Sequence, residues 1–356
     1  MAKTPAKYAK VLKTPAKVGV KTKTSKAKGS AKLPKKKIGK GMRALFLLFG
    51  LGLSTLAVAV IVRMLSDELL KGKTVTVMVD MEMGQGGEGP GHFREPQSVA
   101  LDHAGNFYVS DFSGHNVQKF DPNGTSLYSI GKEGKEEGSF EQPSGLYVDS
   151  QDNLYVCDTF NHRIEKFAST GEFVKAFSHG FFGPRGIVGN GLHRLYVSDT
   201  GNHKVQVFDL EGNFIKEWGG FGTTDGKFRE PVGITADDHN DIYVADSDNL
   251  RIQKFDPEGK FMGAFKISTW KGKNDEVPYL AFGNGALWAS STSRGAVLEL
   301  DPNGKLLGIC VKNAKKDSDN FVGAAGVAVN SEGRVLVVEK GKGQVARFSL
   351  PATPVH

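Results

Sequence analysis

Asn106-Phe-Tyr-Val-Ser-Asp111, Asn153-Leu-Tyr-Val-Cys-Asp158, Arg194-Leu-Tyr-Val-Ser-Asp199 and Asp241-Ile-Tyr-Val-Ala-Asp246 are copies of one phrase, and two degenerate copies follow at Gly285-Ala-Leu-Trp-Ala-Ser290 and Arg334-Val-Leu-Val-Val-Glu339. Six units of one period mean that no unit buries its apolar surface alone; neighbours must stack. Pro96, Pro143, Pro184, Pro231 and Pro278 stand 47, 41, 47 and 47 residues apart. That spacing suits four short strands per propeller blade.

Each unit reads alike. A short strand follows the proline, then a turn rich in Asp, Asn and Gly, then the Tyr-Val-x-Asp strand, apolar enough to be buried on both faces. A more polar third strand follows, such as Val117-Gln-Lys-Phe120 or Ile252-Gln-Lys-Phe255. The next turn is Asp121-Pro-Asn-Gly124, Asp256-Pro-Glu-Gly259 or Asp301-Pro-Asn-Gly304, with the residue preferences of a type I turn. A fourth strand, such as Phe214-Ile-Lys-Glu-Trp218, completes the unit. The sixth unit stops at Phe348-Ser-Leu350 before any fourth strand. Residues 84–96, 131–143 and 219–231 are links of equal length, each with Phe three before the proline. Thr74 to Met83 therefore occupies the fourth-strand position and is expected to pair with the last unit, closing the ring and removing the open edge between first and last blades.

Asp158-Thr-Phe-Asn-His-Arg-Ile-Glu-Lys-Phe167 and Asp199-Thr-Gly-Asn-His-Lys-Val-Gln-Val-Phe208 resemble the NHL repeat. The resemblance covers residues 74–350 and is specific in the first four units; in the last two, Ser290 and Glu339 replace the repeated Asp. It implies an all-β, six-bladed β-propeller whose first strands line a central channel. It implies no reaction, because one fold carries many functions.

His115, His162 and His203 each lie four residues after the repeated Asp. Symmetry puts them in different blades, so they are read as parts of the repeat, not as a metal site. Asp111, Asp158, Asp199 and Asp246 are expected to satisfy backbone donors of the loop that follows them. In the peptidyl-hydroxyglycine amidating lyases, which share this propeller, histidines immediately after the blade-start proline hold zinc. The corresponding positions here are Gln97, Ser144, Arg185, Val232, Tyr279 and Ala325, and none is a histidine. No metal and no cofactor is expected. The same positions are free to differ between repeats, so they form the candidate ligand site: Gln97, Ser144, Arg185 and Tyr279, with Arg185 as anchor for a carboxylate or phosphate. The competing reading pairs Arg185 with an acidic neighbour and leaves only water in the channel. Cys157 and Cys310 are too few for a disulfide scaffold and are expected to be packed thiols.

The chain of 356 residues carries 46 Lys+Arg against 39 Asp+Glu. Residues 1–73 hold 18 of those basic residues and only Asp67 and Glu68, a balance of +16; the rest holds 28 basic against 37 acidic, a balance of −9. Nucleic-acid binding by an acidic propeller is not expected. Residues 1–43 read as a Lys-rich disordered tail that touches anionic lipid headgroups at roughly 1 kcal/mol per nearby Lys. Ala44 to Val62 is 19 residues without a charge, about 28 Å as a helix, enough to span a bilayer. With fifteen Lys/Arg before it, the positive-inside rule expects a single-pass signal anchor with a cytoplasmic N-terminus, a linker at 63–73, an extracytoplasmic propeller at 74–350 and a tail at 351–356. The competing reading is a signal peptide cleaved at Ala57-Val58-Ala59. Two function classes follow: a binding or scaffolding module for a protein, peptide or glycan partner, or an extracytoplasmic lyase or hydrolase working at the channel mouth.

Overall fold

The computed structural model describes residues 73–271, 277–312 and 320–349. The tail, the apolar run at 44–62, most of the linker and the C-terminal residues from 350 lie outside them. Among the described residues no helix is long and apolar enough to cross a membrane. They form six four- or five-stranded sheets, the blades of an all-β propeller, and one two-stranded ribbon.

The first blade shows the plan. Pro96–Leu101, Phe107–Asp111, Asn116–Phe120 and Ser126–Ile130 pair antiparallel in that order. The second strand of each blade has no polar face because neighbouring blades cover both sides: Tyr155, Val156 and Cys157 are all fully buried. Six apolar clusters fill the six gaps between blades, and the one holding Phe93, Val99 and Phe107 also holds Ala325, Leu336 and Val345, joining the last blade to the first. Cys157 and Cys310 are buried and unpaired.

The first strands approach one another closely around the channel. A Cβ on Gly145 would collide with the Arg185 carbonyl of the next blade, and one on Gly186 with the Val232 carbonyl. In blades two, three and four the glycine two residues after the blade-start proline, Gly145, Gly186 or Gly233, is therefore what lets neighbouring backbones come into contact.

Thr74 to Met83 is not one strand. Thr74–Thr76 lies parallel to Leu306–Val311 as a fifth strand on the fifth blade, while only Val79–Met83 pairs antiparallel with Gln344–Ser349 of the sixth. Val77 causes the break. Its side chain is buried in the apolar cluster between these two blades, and its N–H donates to the Val311 carbonyl at 2.9 Å. The chain must then cross from one blade to the next, leaving Met78 outside.

The Asp-Pro-x-Gly turns form as the sequence indicates. Gly124 N–H donates to the Asp121 carbonyl, and Asp121 Oδ1 accepts from the N–H groups of Asn123 and Thr125.

Candidate ligand-binding face

Pairing of Pro96 with Asp111, Pro143 with Asp158, Pro184 with Asp199 and Pro231 with Asp246 puts the prolines, the links between blades and the turns after the repeated Asp at one end of the ring. We call this end the proline-side face. The repeat residues there are fully engaged. Asp111 accepts from the N–H groups of Arg94 and Glu95, Asp158 from Glu141, Asp199 from Phe182 and Asp246 from Arg229. These donors belong to the preceding link; from the following loop, where local turn chemistry places them, Asp111 accepts from Gly114 N–H. The following loop contributes side chains as well: Asn161, Asn202 and Asn249 each donate to the Asp of their own repeat. Burial pushes the carboxyls of Asp111, Asp158 and Asp199 up, and these donors pull them back down.

His115, His162 and His203 occupy left-handed positions with φ of 54, 56 and 58°, shared by Leu250 at 54°. His115 Nδ1 accepts from Gln142 N–H and His162 Nδ1 from Gly183 N–H, whereas His203 Nδ1 donates to the Arg229 carbonyl. Each imidazole thus ties its blade to the link of the next. Among the described residues no group of three or more His, Cys, Asp or Glu is placed to hold a metal ion.

The residues after the blade starts lie at the channel mouth on this face. Ser144 and Thr159 share a 2.6 Å hydrogen bond, and the hydroxyl that accepts in it can donate onward, Ser144 to the Arg185 carbonyl at 3.2 Å or Thr159 to the Pro184 carbonyl at 3.0 Å. Gln97 is turned to Glu95, donating at 3.3 Å. Val232 and Ala325 are buried. Arg185 Nη1 is 3.7 Å from Glu230 Oε1, close enough for ion pairing but beyond hydrogen-bond distance. Burial raises the Glu230 carboxyl and Arg185 draws it down. Tyr279 is buried, and its Oη has no hydrogen-bond partner. Burial pushes this phenol up, and the Arg185 guanidinium of blade three and the nearby Ser144 hydroxyl of blade two oppose the shift.

Around this mouth stand side chains that the sequence reading did not single out as a site. Phe160, Phe182 and Phe221 are 49, 59 and 66% exposed. Phe112 meets Phe160 edge-on at 6.1 Å, His162 lies 5.3 Å from Phe182, and His203 lies 5.0 Å from Phe221, over which the Arg229 guanidinium stands at 5.8 Å. Gly201 leaves room for Phe182, whose ring would collide with a Cβ there. The available signal was a bulky apolar residue inside a turn segment, as in Gly180-Phe181-Phe182-Gly183 and Gly220-Phe221-Gly222, where polar residues are usual.

The opposite end carries two cavities. One of about 510 Å³ is lined by Tyr147, Asp149, Asn190, His193, Asp238 and Asn240, and one of about 410 Å³ by residues including Asp102, His103, Glu332, Arg334 and Arg347. Their acidic groups are largely committed. Lys119 lies 3.0 Å from Asp102 and over the Tyr108 ring, and Lys254 lies 3.4 Å from Asp237 and over the Tyr243 ring.

Comparison with known proteins was informative at the level of repeat and fold. The NHL repeat family matches residues 93–120, 140–167 and 228–255. No curated protein sequence matches the chain. Among solved structures, a streptogramin B lyase is similar at 11% identity and TM-score 0.54, covering 76% of this chain and 98% of that one. Virginiamycin B lyase from Staphylococcus aureus is similar at 13% and 0.55, covering 76% and 99%. XC5397 from Xanthomonas campestris, described as a gluconolactonase, is similar at 15% and 0.56, covering 78% and 98%. At these identities the likeness is one of fold.

Proposed function

We propose that the chain, a β-propeller in which three stretches match the NHL repeat, works as a membrane-anchored, extracytoplasmic binding or scaffolding module whose proline-side face takes a protein, peptide or glycan partner. The observation that carries this reading is the row of exposed aromatic rings, Phe160, Phe182 and Phe221, on the loops around the channel mouth. Exposed aromatic side chains grouped on one face are what a recognition surface offers, because they desolvate readily and lose little conformational entropy on binding. Arg185 adds a guanidinium whose partner at 3.7 Å leaves its donors available for an anionic group of the ligand. The anchored topology draws its support from the charge asymmetry around 44–62.

The second reading is a lyase or hydrolase with its site at the same mouth. It is favoured by the buried, unpartnered Tyr279 hydroxyl beside Arg185, a polar pair that departs from the repeat.

The same proposal takes Val79–Met83 as the strand that closes the ring, supported by its pairing with the last blade.

Photo-crosslinking from the native envelope tests the binding reading. A crosslinking side chain at Phe182 or Phe221 should trap a discrete partner, and one at the exposed Leu192 on the opposite end should not. Equal trapping from both ends would remove the proline-side face as the binding surface. External protease should reach the propeller in spheroplasts and spare a tag at Met1; the reverse protection would overturn the topology.

A further inference from the structure

The links between blades do more than connect. In blades one, two and four a glycine N–H of the preceding link donates to a buried polar side chain on the third strand: Gly91 to Gln118 at 2.8 Å, Gly138 to Glu165 at 3.2 Å and Gly226 to Gln253 at 2.9 Å. All three glycines are left-handed, with φ of 74, 77 and 77°. The glutamines return a bond, Gln118 to the His92 carbonyl and Gln253 to the Lys227 carbonyl, each at 2.8 Å. Each of these links therefore caps the third strand of the blade it leads into.

Blade three lacks this cap. Residues 131–142 put twelve residues between the fourth strand of blade one and Pro143, whereas residues 178–183 put six between that of blade two and Pro184. The short link keeps the contacts nearest the proline: Phe181 is buried, Phe182 N–H donates to Asp199, and Gly201 N–H donates to the Phe182 carbonyl. The glycine that would reach the third strand is missing. Gln206 stands there opposite Val197, as Gln253 stands opposite Val244, and it is fully buried. Its Nε2 donates to Asp199 at 2.8 Å, which fixes the amide, and among the described residues its Oε1 has no partner. Where Arg163 and Arg251 donate to link carbonyls in blades two and four, blade three has Lys204, turned to Glu217 at 2.7 Å. A buried acceptor left unmet is costly, so Gln206 marks the place of an absent donor.

We propose that the gap left by the short link on blade three seats a turn of a partner protein, whose glycine N–H donates to Gln206 Oε1 as Gly91 and Gly226 do in their own blades. The proposal deepens the binding reading above and rests on it. The other blades define the chemistry of the occupant. A peptide turn brings the N–H together with neighbouring carbonyls, and glycine takes up the left-handed backbone at no steric cost. Phe182, on the exposed aromatic row, borders the gap, because its N–H and Gln206 Nε2 hold the two oxygens of one Asp199 carboxylate. Gln206 Oε1 is closed from solvent in the free ring, so docking has to part the side chains around it.

The test places photoreactive benzoylphenylalanine at Glu217, which is exposed and pairs opposite Gln206, in the full chain in its native envelope. A second chain carries the same probe and a link graft in which residues 131–139 replace residues 178–180, restoring twelve residues before the proline and supplying Gly138 as an internal donor. The adduct is expected to map by mass spectrometry to one glycine-containing segment of a partner protein and to fall at least tenfold in the graft. Trapping from position 221 with none from 217 overturns the gap as the seat and leaves the binding reading standing; no trapping from 182, 217 or 221 removes both. An adduct with a glycan or with a second copy of this chain overturns the occupant, and a yield that the graft leaves unchanged overturns the placement. Should the graft fail to fold, Gln206→Leu removes the acceptor and is expected to lower the yield about three- to tenfold. An unchanged yield in that variant overturns the proposal.

Discussion

Glu165 is a buried acid at a position where three other blades use glutamine, and replacing it tests how burial and pairing balance in this fold. It lies on Arg163–Phe167, fully buried, where Gln118, Gln206 and Gln253 stand in blades one, three and four. Arg163 faces it at 2.8 Å and Gly138 N–H donates to it at 3.2 Å. Burial nevertheless pushes its carboxyl up from 4.5 to about 7, with Arg163 opposing and Asp158 and Glu137 adding to the rise. Between those two pH values the folded chain keeps a proton that the unfolded chain has lost. Stability therefore falls as pH rises through this window, by up to about 1.4 kcal/mol per pH unit and about 3 kcal/mol in all. Blade four shows that glutamine fits beside the same arginine. Gln253 donates to the Lys227 carbonyl at 2.8 Å and accepts from Gly226 N–H, while Arg251 donates to Asp246 and to the same Lys227 carbonyl.

Glu165→Gln should therefore stabilise the protein by about 1–3 kcal/mol at pH 8, the range allowing for the lost Arg163 ion pair, and by nearly nothing below pH 5. Thermal melts of both proteins from pH 5 to 8 at constant ionic strength read the difference, at about 2–4 °C per kcal/mol. A difference that does not change with pH would refute the titration. A variant less stable than wild type at pH 8 would show that the network of Arg163, Glu165 and Asp158 is worth more than the burial of its charges costs.

Removing residues before 84 should expose an edge on the sixth blade and lower the cooperativity of unfolding; an unchanged melt would refute closure by this segment. Arg185→Ala should weaken binding of an anionic ligand by roughly 1–3 kcal/mol with little change in melting temperature, and equal affinity would move the site away from the mouth. Tyr279→Phe deletes a buried hydroxyl without a partner, so it should leave stability unchanged or raise it by about 1 kcal/mol. A clear loss of stability would mean that the hydroxyl is bonded in solution. Asp199→Ala should destabilise by about 1–3 kcal/mol, because it strips acceptors from Phe182 N–H, Asn202 and Gln206, and chemical denaturation would register it.

The repeat alone determined the fold class, because Tyr-Val-x-Asp strands, blade-start prolines and Asp-Pro-x-Gly turns are local signals whose spacing counts the blades. It also accounted for the three histidines, since a residue recurring at one phase of a repeat serves the repeat. Much of what the Asp side chains bind was not legible: the link donors lie 16 or 17 residues upstream, brought close only when the first and second strands pair. Nor was the division of Thr74 to Met83, because the burial of Val77 between two blades is a property of the assembled ring. The channel-mouth residues could be listed from their phase, but only the tertiary structure shows that Gln97 is turned to Glu95, that Arg185 faces Glu230, and that the Tyr279 hydroxyl has no partner. The aromatic row was hidden for the same reason. Phe160, Phe182 and Phe221 lie in three separate loops, and the ring geometry alone puts them on one face, because each blade returns its links to the end at which it began.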